Sequence, residues 1–266
     1  CRGEFDRFSG AFKGSPKGLV PAFPNGGRDW GPSFMELKFR ALLIAGARYA
    51  GKTGGKGESP ISLFQMTSSG NNEEILSAYR NYRESPFIRN LIRSSGIEFP
   101  DVHTGIQPMI AAFTHSSRGE RKEIFFSAYG EKDRPLPLPG GHGQNFMILA
   151  GIYRKLYEQG KRFVSIGNVD NLGYTPDPVI LGLLALSGKQ AAFEFSKKTP
   201  ADVKGGILVT DAAGRLNCAD IGPAISLAEA TKAEKEEGKS ILFNCATGLF
   251  DLNYLTDNMD AIKSGL

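Results

Sequence analysis

Residues 162–173 read Arg-Phe-Val-Ser-Ile-Gly-Asn-Val-Asp-Asn-Leu-Gly. The run from Arg162 to Ile166 is largely apolar, with β-branched Val164 and Ile166, and predicts a short strand. That strand feeds one carboxylate, Asp170, flanked by the amides of Asn168 and Asn171 and followed by Gly173. Open α/β sheets bind ligands beyond the carboxyl ends of their strands. A lone Asp holding a hard cation there, with Asn beside it to hydrogen-bond a substrate, suits metal-assisted phosphate chemistry. Asn, Asp and Gly are also the common residues of polar turns. The segments before and after must therefore decide between a ligand corner and a loop.

Working outward, helical and strand patterns alternate. Residues 32–50 carry helical spacing (Phe34, Leu37, Ala41, Leu42, Ala45), with Pro32 near the start. Residues 61–66 read as a strand, 71–83 as a helix capped by Asn71 or Asn72, and 86–93 as a short helix. A strand is expected over 123–129 and a helix over 144–159, the latter with Phe146, Leu149, Ile152, Tyr153 and Leu156 on one face. Helices are expected over 178–186, 226–237 and 252–263, and strands over 190–195 and 241–244. A hairpin subregion is expected over 206–220, around the turn residues Asp211 to Gly214. Such alternation argues an α/β sheet with helices on both faces. No repeat and no Pro-rich or Ser-rich linker divides the chain, so one core over 1–266 is expected.

The 266 residues suffice to bury a substantial core. The formal charge of +4, from 32 basic and 28 acidic residues, has no long block of one sign. It demands no nucleic acid but would welcome an anionic small substrate. No apolar run is long enough to span a membrane, the best being Ala41 to Ala45. Cys1, Cys218 and Cys245 are odd in number and widely spaced. They form no disulfide framework or zinc pattern, which points to a reducing compartment, the cytoplasm or an organelle stroma. The chain starts at Cys1 without Met or an apolar leader, which fits a processed product or a recombinant piece.

Four loops are candidates for chemistry. Gly46 to Thr53 matches the phosphate-loop pattern G-x-x-x-x-G-K-[ST], but helical spacing precedes it and glycines follow, so the match reads as accidental. Gly10 to Gly18 is a glycine-rich basic loop whose backbone amides and Lys17 suit phosphates. Pro139-Gly140-Gly141-His142-Gly143-Gln144 stands at a helix entry, where glycines let backbone amides approach an anion or base. His142, between two glycines, has little side-chain cover. Lys197 to Gly206 joins two strands as a basic, glycine-lined lip.

Taken in order, His142 with its glycines, Asn168-Val-Asp170-Asn-Leu-Gly173 and Lys198-Thr-Pro-Ala-Asp-Val-Lys-Gly-Gly206 resemble the UDP-glucose pyrophosphorylase family of uridylyltransferases. Pro16-Lys17 resembles the Pro-Lys at the end of that family's nucleotide loop. Met66, in Gln-Met-Thr-Ser-Ser, stands where members have a Met-Asn-Ser segment near the base. The resemblance implies a doubly wound, mixed but mostly parallel sheet and a reaction of UTP with a sugar 1-phosphate, favouring glucose 1-phosphate, with Mg²⁺ as cofactor. It implies that Asp170 ligates Mg²⁺ and that Lys17 neutralises the triphosphate. Gly141, His142 and Gly143 would line the nucleotide pocket. Asn168 and Asn171 would contact the ribose or sugar, Lys204, Gly205 and Gly206 would close over the sugar, and Asn244 would add a polar contact.

The departures matter equally. The family's Gly-Gly loop is not visible in residues 1–10, and its Asn-rich segment here reads Phe243-Asn244-Cys-Ala-Thr247-Gly248. Its uracil-reading Gln has two candidate counterparts, Thr104 and Gln107. A further catalytic Lys and a C-terminal domain of the family would lie past Leu266. A core fragment, a minimal form and a decayed nucleotide-sugar binder all stay open, as does the N-acetylhexosamine branch, which shares the Pro16-Lys17-Gly18 wording. Oligomeric state is not legible.

Overall fold

Ser33 starts the first long helix by accepting the Glu36 amide on its hydroxyl at 3.1 Å. The computed structural model describes residues 14–24, 30–55, 57, 59–114, 121–203, 205–222, 225–237 and 240–265. In it this helix, α1 (Phe34–Thr53), ends on Gly54 at φ 72, a left-handed cap that glycine adopts at least cost. α1 buries Met35, Phe39, Leu43, Gly46 and Ala50, one face of a 3.6-residue period.

In chain order there follow β1 (Leu63–Ser68), α2 (Asn72–Glu84), α3 (Pro86–Ser95), β2 (Val102–Gln107), β3 (Met109–Ala111) and β4 (Pro137–Pro139). Next come α4 (Asn145–Ile148), α5 (Ala150–Glu158), β5 (Phe163–Gly167), α6 (Pro178–Ser187), β6 (Ala191–Lys197), β7 (Gly205–Thr210) and β8 (Leu216–Ile221). The chain continues through α7 (Leu227–Glu237), β9 (Leu242–Asp251), α8 (Leu252–Asp257) and α9 (Met259–Ser264). None of the described helices is long and apolar enough to cross a membrane.

The chain divides into two compact units, one of Cys1–Arg162, Leu172–Pro176 and Leu252–Leu266, the other of Phe163–Asn171 and Asp177–Asp251. In the first unit β1 and β2 pair in parallel, with Met66 opposite Gly105, and α2 and α3 supply the crossover that a parallel pair requires. Its core gathers around Phe39, whose ring lies 4.8 Å from Phe99, 6.0 Å from Tyr79 and 6.1 Å from Tyr82. A Cβ on Gly105 would come within 2.6 Å of Leu149 and 2.9 Å of Ile148, so the side chain is absent where these two residues press on β2. In the second unit β9 runs antiparallel to β5, β6 and β7, and β7 to β8. Ile207, Ile221 and Ala230 form its packed centre under α7, with Phe243 against them.

The mixed α/β architecture agrees with expectation, and β7–β8 is the expected hairpin. The balance of the sheets differs, since among the described residues β1–β2 is the one parallel ladder and the others are antiparallel. The short Asp211–Gly214 turn can only return a strand antiparallel. No regular strand forms over 123–129. The Phe125 amide reaches the Ala112 carbonyl and Leu136 reaches Phe125, an irregular pairing that ends where Tyr129 turns to φ 59. The helix expected over 144–159 breaks at Leu149, which has φ −97 and ψ 5. The closing helix breaks at Asn258. Asn71 stands at the N-cap of α2 without capping it, because its side-chain oxygen accepts the Ser68 amide at 2.8 Å. The phosphate-loop match lies inside α1, with Lys52 and Thr53 closing the helix where a phosphate loop would need them to begin one.

The titration of His103 bears on stability. Burial pushes His103 on β2 below its ordinary value near 6.5; the Lys155 charge acts the same way and Asp101 opposes. The unfolded chain therefore takes up this proton more readily. The contribution is present above the unfolded value and lost as pH falls through the depressed folded one. Thermal melts between about pH 7 and about pH 5 are expected to show a smaller loss of Tm in His103→Asn than in the unsubstituted protein. Parallel slopes would show that His103 carries none of the pH dependence.

Candidate functional site

The second unit holds the carboxylate. β5 ends at Gly167, and the Asn171 amide donates to the Asn168 carbonyl at 3.1 Å, closing a turn with Val169 and Asp170 at its centre. Asn168, Asp170 and Asn171 are all half-buried, and one Asp170 carboxylate oxygen is shut off from solvent. The Asn171 side-chain amide donates to the Thr247 hydroxyl of β9 at 3.1 Å. The turn at the carboxyl end of β5 is thus fixed by its own backbone and by a neighbouring strand. Among the described residues no group of three or more His, Cys, Asp or Glu could hold a metal. A single carboxylate does not make a closed cage for an ion. It fits a magnesium-type cation that keeps waters and substrate phosphates as its other ligands.

Asn244 lies on β9, where its side-chain oxygen accepts the Ala246 amide at 2.7 Å and its amide donates to the Cys218 sulfur at 3.4 Å. The paired glycines of β7 answer first to packing. A Cβ on Gly205, at φ 125, would sit 2.7 Å from the Phe243 ring, and one on Gly206 would sit 2.3 Å from the Cys218 sulfur. Lys204 lies outside the described residues. In the lip before it, the Thr199 amide and hydroxyl donate to Asp202 at 2.7 and 2.8 Å, holding that carboxyl below its usual range.

The first unit holds the remaining candidates. Pro16 and Gly18 are buried and Lys17 half-buried in a single 3₁₀ turn, Lys17–Leu19, which the Phe34 amide ties to α1 through the Val20 carbonyl. Met66 is half-buried on β1, two residues before the strand's carboxyl end. Gly141 takes φ 104, and His142 to Gln144 form a 3₁₀ turn leading into α4, with Gly141, His142 and Gly143 all exposed. A Cβ on Gly140 would meet the Gln144 side chain at 2.1 Å, so Gln144 folds back over that glycine. Lys38 on α1 donates to the Tyr174 carbonyl and lies 5.2 Å from its ring centre, holding segment 172–176. The motif 168–173 therefore divides between the units after Asn171.

Three structural supports escaped the sequence reading. Asn145 donates to the His142 carbonyl at 2.7 Å and accepts the hydroxyl of fully buried Tyr153 at 2.7 Å, so a buried pair sets the glycine loop. Its signal was an amide directly after Gly143-Gln144. Thr247 and Cys218 are the others, and neither announces itself by residue type. Of the two uracil candidates, Thr104 and Gln107 are both half-buried on β2. The Gln107 side-chain oxygen is buried with no hydrogen-bond partner among the described residues. A buried amide oxygen left so costs free energy that a donor on a ligand would recover.

These features define a mixed α/β protein with a carboxylate-bearing turn at the end of a strand and a glycine-lined loop at a helix entry. Solved structures share the fold. UDP-N-acetylglucosamine pyrophosphorylase of Trypanosoma brucei superposes with a TM-score of 0.64 over 94% of this chain and 46% of its own, at 22% identity. UDP-glucose phosphorylase of the same organism gives 0.59 over 94% and 48%, at 20% identity. The chain belongs to the UTP--glucose-1-phosphate uridylyltransferase family, whose model matches residues 120–264, more than half of its length. The enzyme of that name from Saccharomyces cerevisiae is 35% identical over 239 residues, 88% of this chain and 40% of the yeast protein. The chain thus spans less than half the length of these relatives. The family match includes His142, Asp170, Gly206 and Asn244, whereas Lys17 and Met66 precede it.

Proposed function

We propose that this chain carries a uridylyl-transfer site that joins UTP to a hexose 1-phosphate, glucose 1-phosphate by preference, releasing pyrophosphate. The observation that carries this reading is the braced turn presenting Asp170 at the end of β5, in a chain of this family. A phosphate oxygen of the sugar phosphate attacks the α-phosphorus of UTP. The new O–P bond forms as the bond to the bridging oxygen of pyrophosphate breaks. The attacking oxygen is already an anion, so the reaction needs alignment and charge neutralisation more than a general base.

Asp170 would hold Mg²⁺, which supplies neutralisation of phosphate charge when bound. Lys17 offsets triphosphate charge, and the backbone amides of Gly141, His142 and Gly143 approach the nucleotide. Asn168 and Asn171 offer amides to ribose or sugar hydroxyls, Asn244 adds another, and Lys204 with Gly205 and Gly206 covers the sugar. Met66 packs on the base, and the buried Gln107 oxygen accepts the imide N–H of uracil. Free thiols at Cys218 and Cys245 support an intracellular, reducing setting.

The Pro16-Lys17-Gly18 wording, which the N-acetylhexosamine branch shares, supports a second reading in which the sugar is an N-acetylhexosamine 1-phosphate. Pyrophosphate release from UTP, measured with glucose 1-phosphate and with N-acetylglucosamine 1-phosphate, separates the two. Faster release with glucose 1-phosphate is expected. Preference for the acetylated sugar would move the assignment to the second reading. UDP-glucose binding without turnover would leave a nucleotide-sugar binder.

A further inference from the structure

The stretch of β9 beside the Asp170 turn is constrained by a bulge and by side-chain hydrogen bonds. Against β6, Phe193 faces Gly248 but Phe195 faces Asn244, so three residues of β9, 245–247, stand opposite Glu194 alone. This is a bulge of the kind that re-aims a side chain. Ala246 takes φ 54 within it, a conformation that costs an alanine free energy and persists only where surroundings impose it. The Asn244 side chain helps impose it by accepting the Ala246 amide. The next residue, Thr247, is 3% exposed. Its hydroxyl accepts from Asn171 at 3.1 Å and donates to the Cys245 carbonyl at 3.4 Å, while its backbone pairs with Gly167, the last residue of β5.

We propose that Thr247 is a positioning residue for uridylyl transfer: from the β9 bulge its hydroxyl holds Asn171, and through Asn171 it fixes the turn that presents Asp170. The hydroxyl fits this task because it accepts and donates at once, so the Asn171 amide is paired and the bulge's own Cys245 carbonyl is satisfied by one side chain. Valine matches threonine in shape but can do neither. The role rests on the proposed reaction. The brace itself is a property of the protein without ligand and is read separately.

The test compares Thr247→Val, Thr247→Ser and Asn171→Ala with the unsubstituted protein. Hydrogen exchange across residues 168–171 is measured without nucleotide, and turnover of UTP with glucose 1-phosphate is measured against Mg²⁺ concentration. Thr247→Val is expected to speed exchange in that turn and to lower turnover or metal response by roughly 10–100-fold, the usual cost of losing a partner behind a metal ligand. Thr247→Ser should restore both. Asn171→Ala breaks the same bond from the less buried partner and should speed exchange even if the valine variant folds poorly. Unchanged exchange in Asn171→Ala and the valine variant would overturn the brace. Faster exchange with full turnover would overturn the positioning role. If the unsubstituted protein turns over no sugar phosphate, the proposed reaction fails and with it the positioning role, while the exchange data still decide the brace.

Discussion

Asp170→Asn is expected to reduce turnover of UTP with glucose 1-phosphate by about 10²–10³-fold, the scale on which removing one electrostatic contact to developing phosphate charge is felt. The substitution keeps the side chain's size. It leaves the backbone bond from Asn171 to Asn168 and the side-chain bond from Asn171 to Thr247 untouched, since neither involves residue 170. A thermal melt of the variant beside the unsubstituted protein separates a loss of metal and phosphate handling from a loss of folding. Steady-state assays at rising Mg²⁺ are the check. Turnover within about threefold of the unsubstituted protein at every Mg²⁺ concentration would remove Asp170 from the chemistry, because a metal-ligating carboxylate cannot be neutralised at so small a cost.

Phe39→Ala is expected to destabilise the protein by about 3–5 kcal/mol. Phe39 is 1% exposed and touches three other aromatic rings, from α2 and from Phe99. Little around it can collapse into the space, because Tyr79 and Tyr82 are themselves packed edge-on at 5.9 Å. Domains are net stable by only about 5–15 kcal/mol, so the variant should unfold at much lower urea. A change below about 1 kcal/mol would show that this ring cluster is not what holds α1 to α2.

Element type was legible where a periodic run was long and uninterrupted. α1, α6 and β5 formed close to their expected bounds, since apolar spacing and caps such as Ser33 act locally. The reading went astray where tertiary pairing overrode local pattern. Residues 123–127 look like a strand but bond irregularly to Ala112 and Leu136, and β9 runs on to Asp251 through a bulge that its glycine and alanine conceal. The Asp170 turn was legible because a strand, a carboxylate and two amides lie within a few consecutive residues. Thr247 was not, since its partner Asn171 is 76 positions away and the bond depends on the register of β9 with β5. The glycines of β7 show close packing against Phe243 and Cys218, which sequence alone cannot part from the sugar-covering role proposed for them.

The measurement that bears most directly on the central claim follows UTP, pyrophosphate and UDP-sugar together, in the presence and absence of glucose 1-phosphate. Equal amounts of pyrophosphate and UDP-glucose are expected, none of either without the sugar phosphate, and loss of both products in Asp170→Asn. Pyrophosphate release that ignores glucose 1-phosphate, or UDP-glucose formation that survives Asp170→Asn undiminished, would contradict that claim.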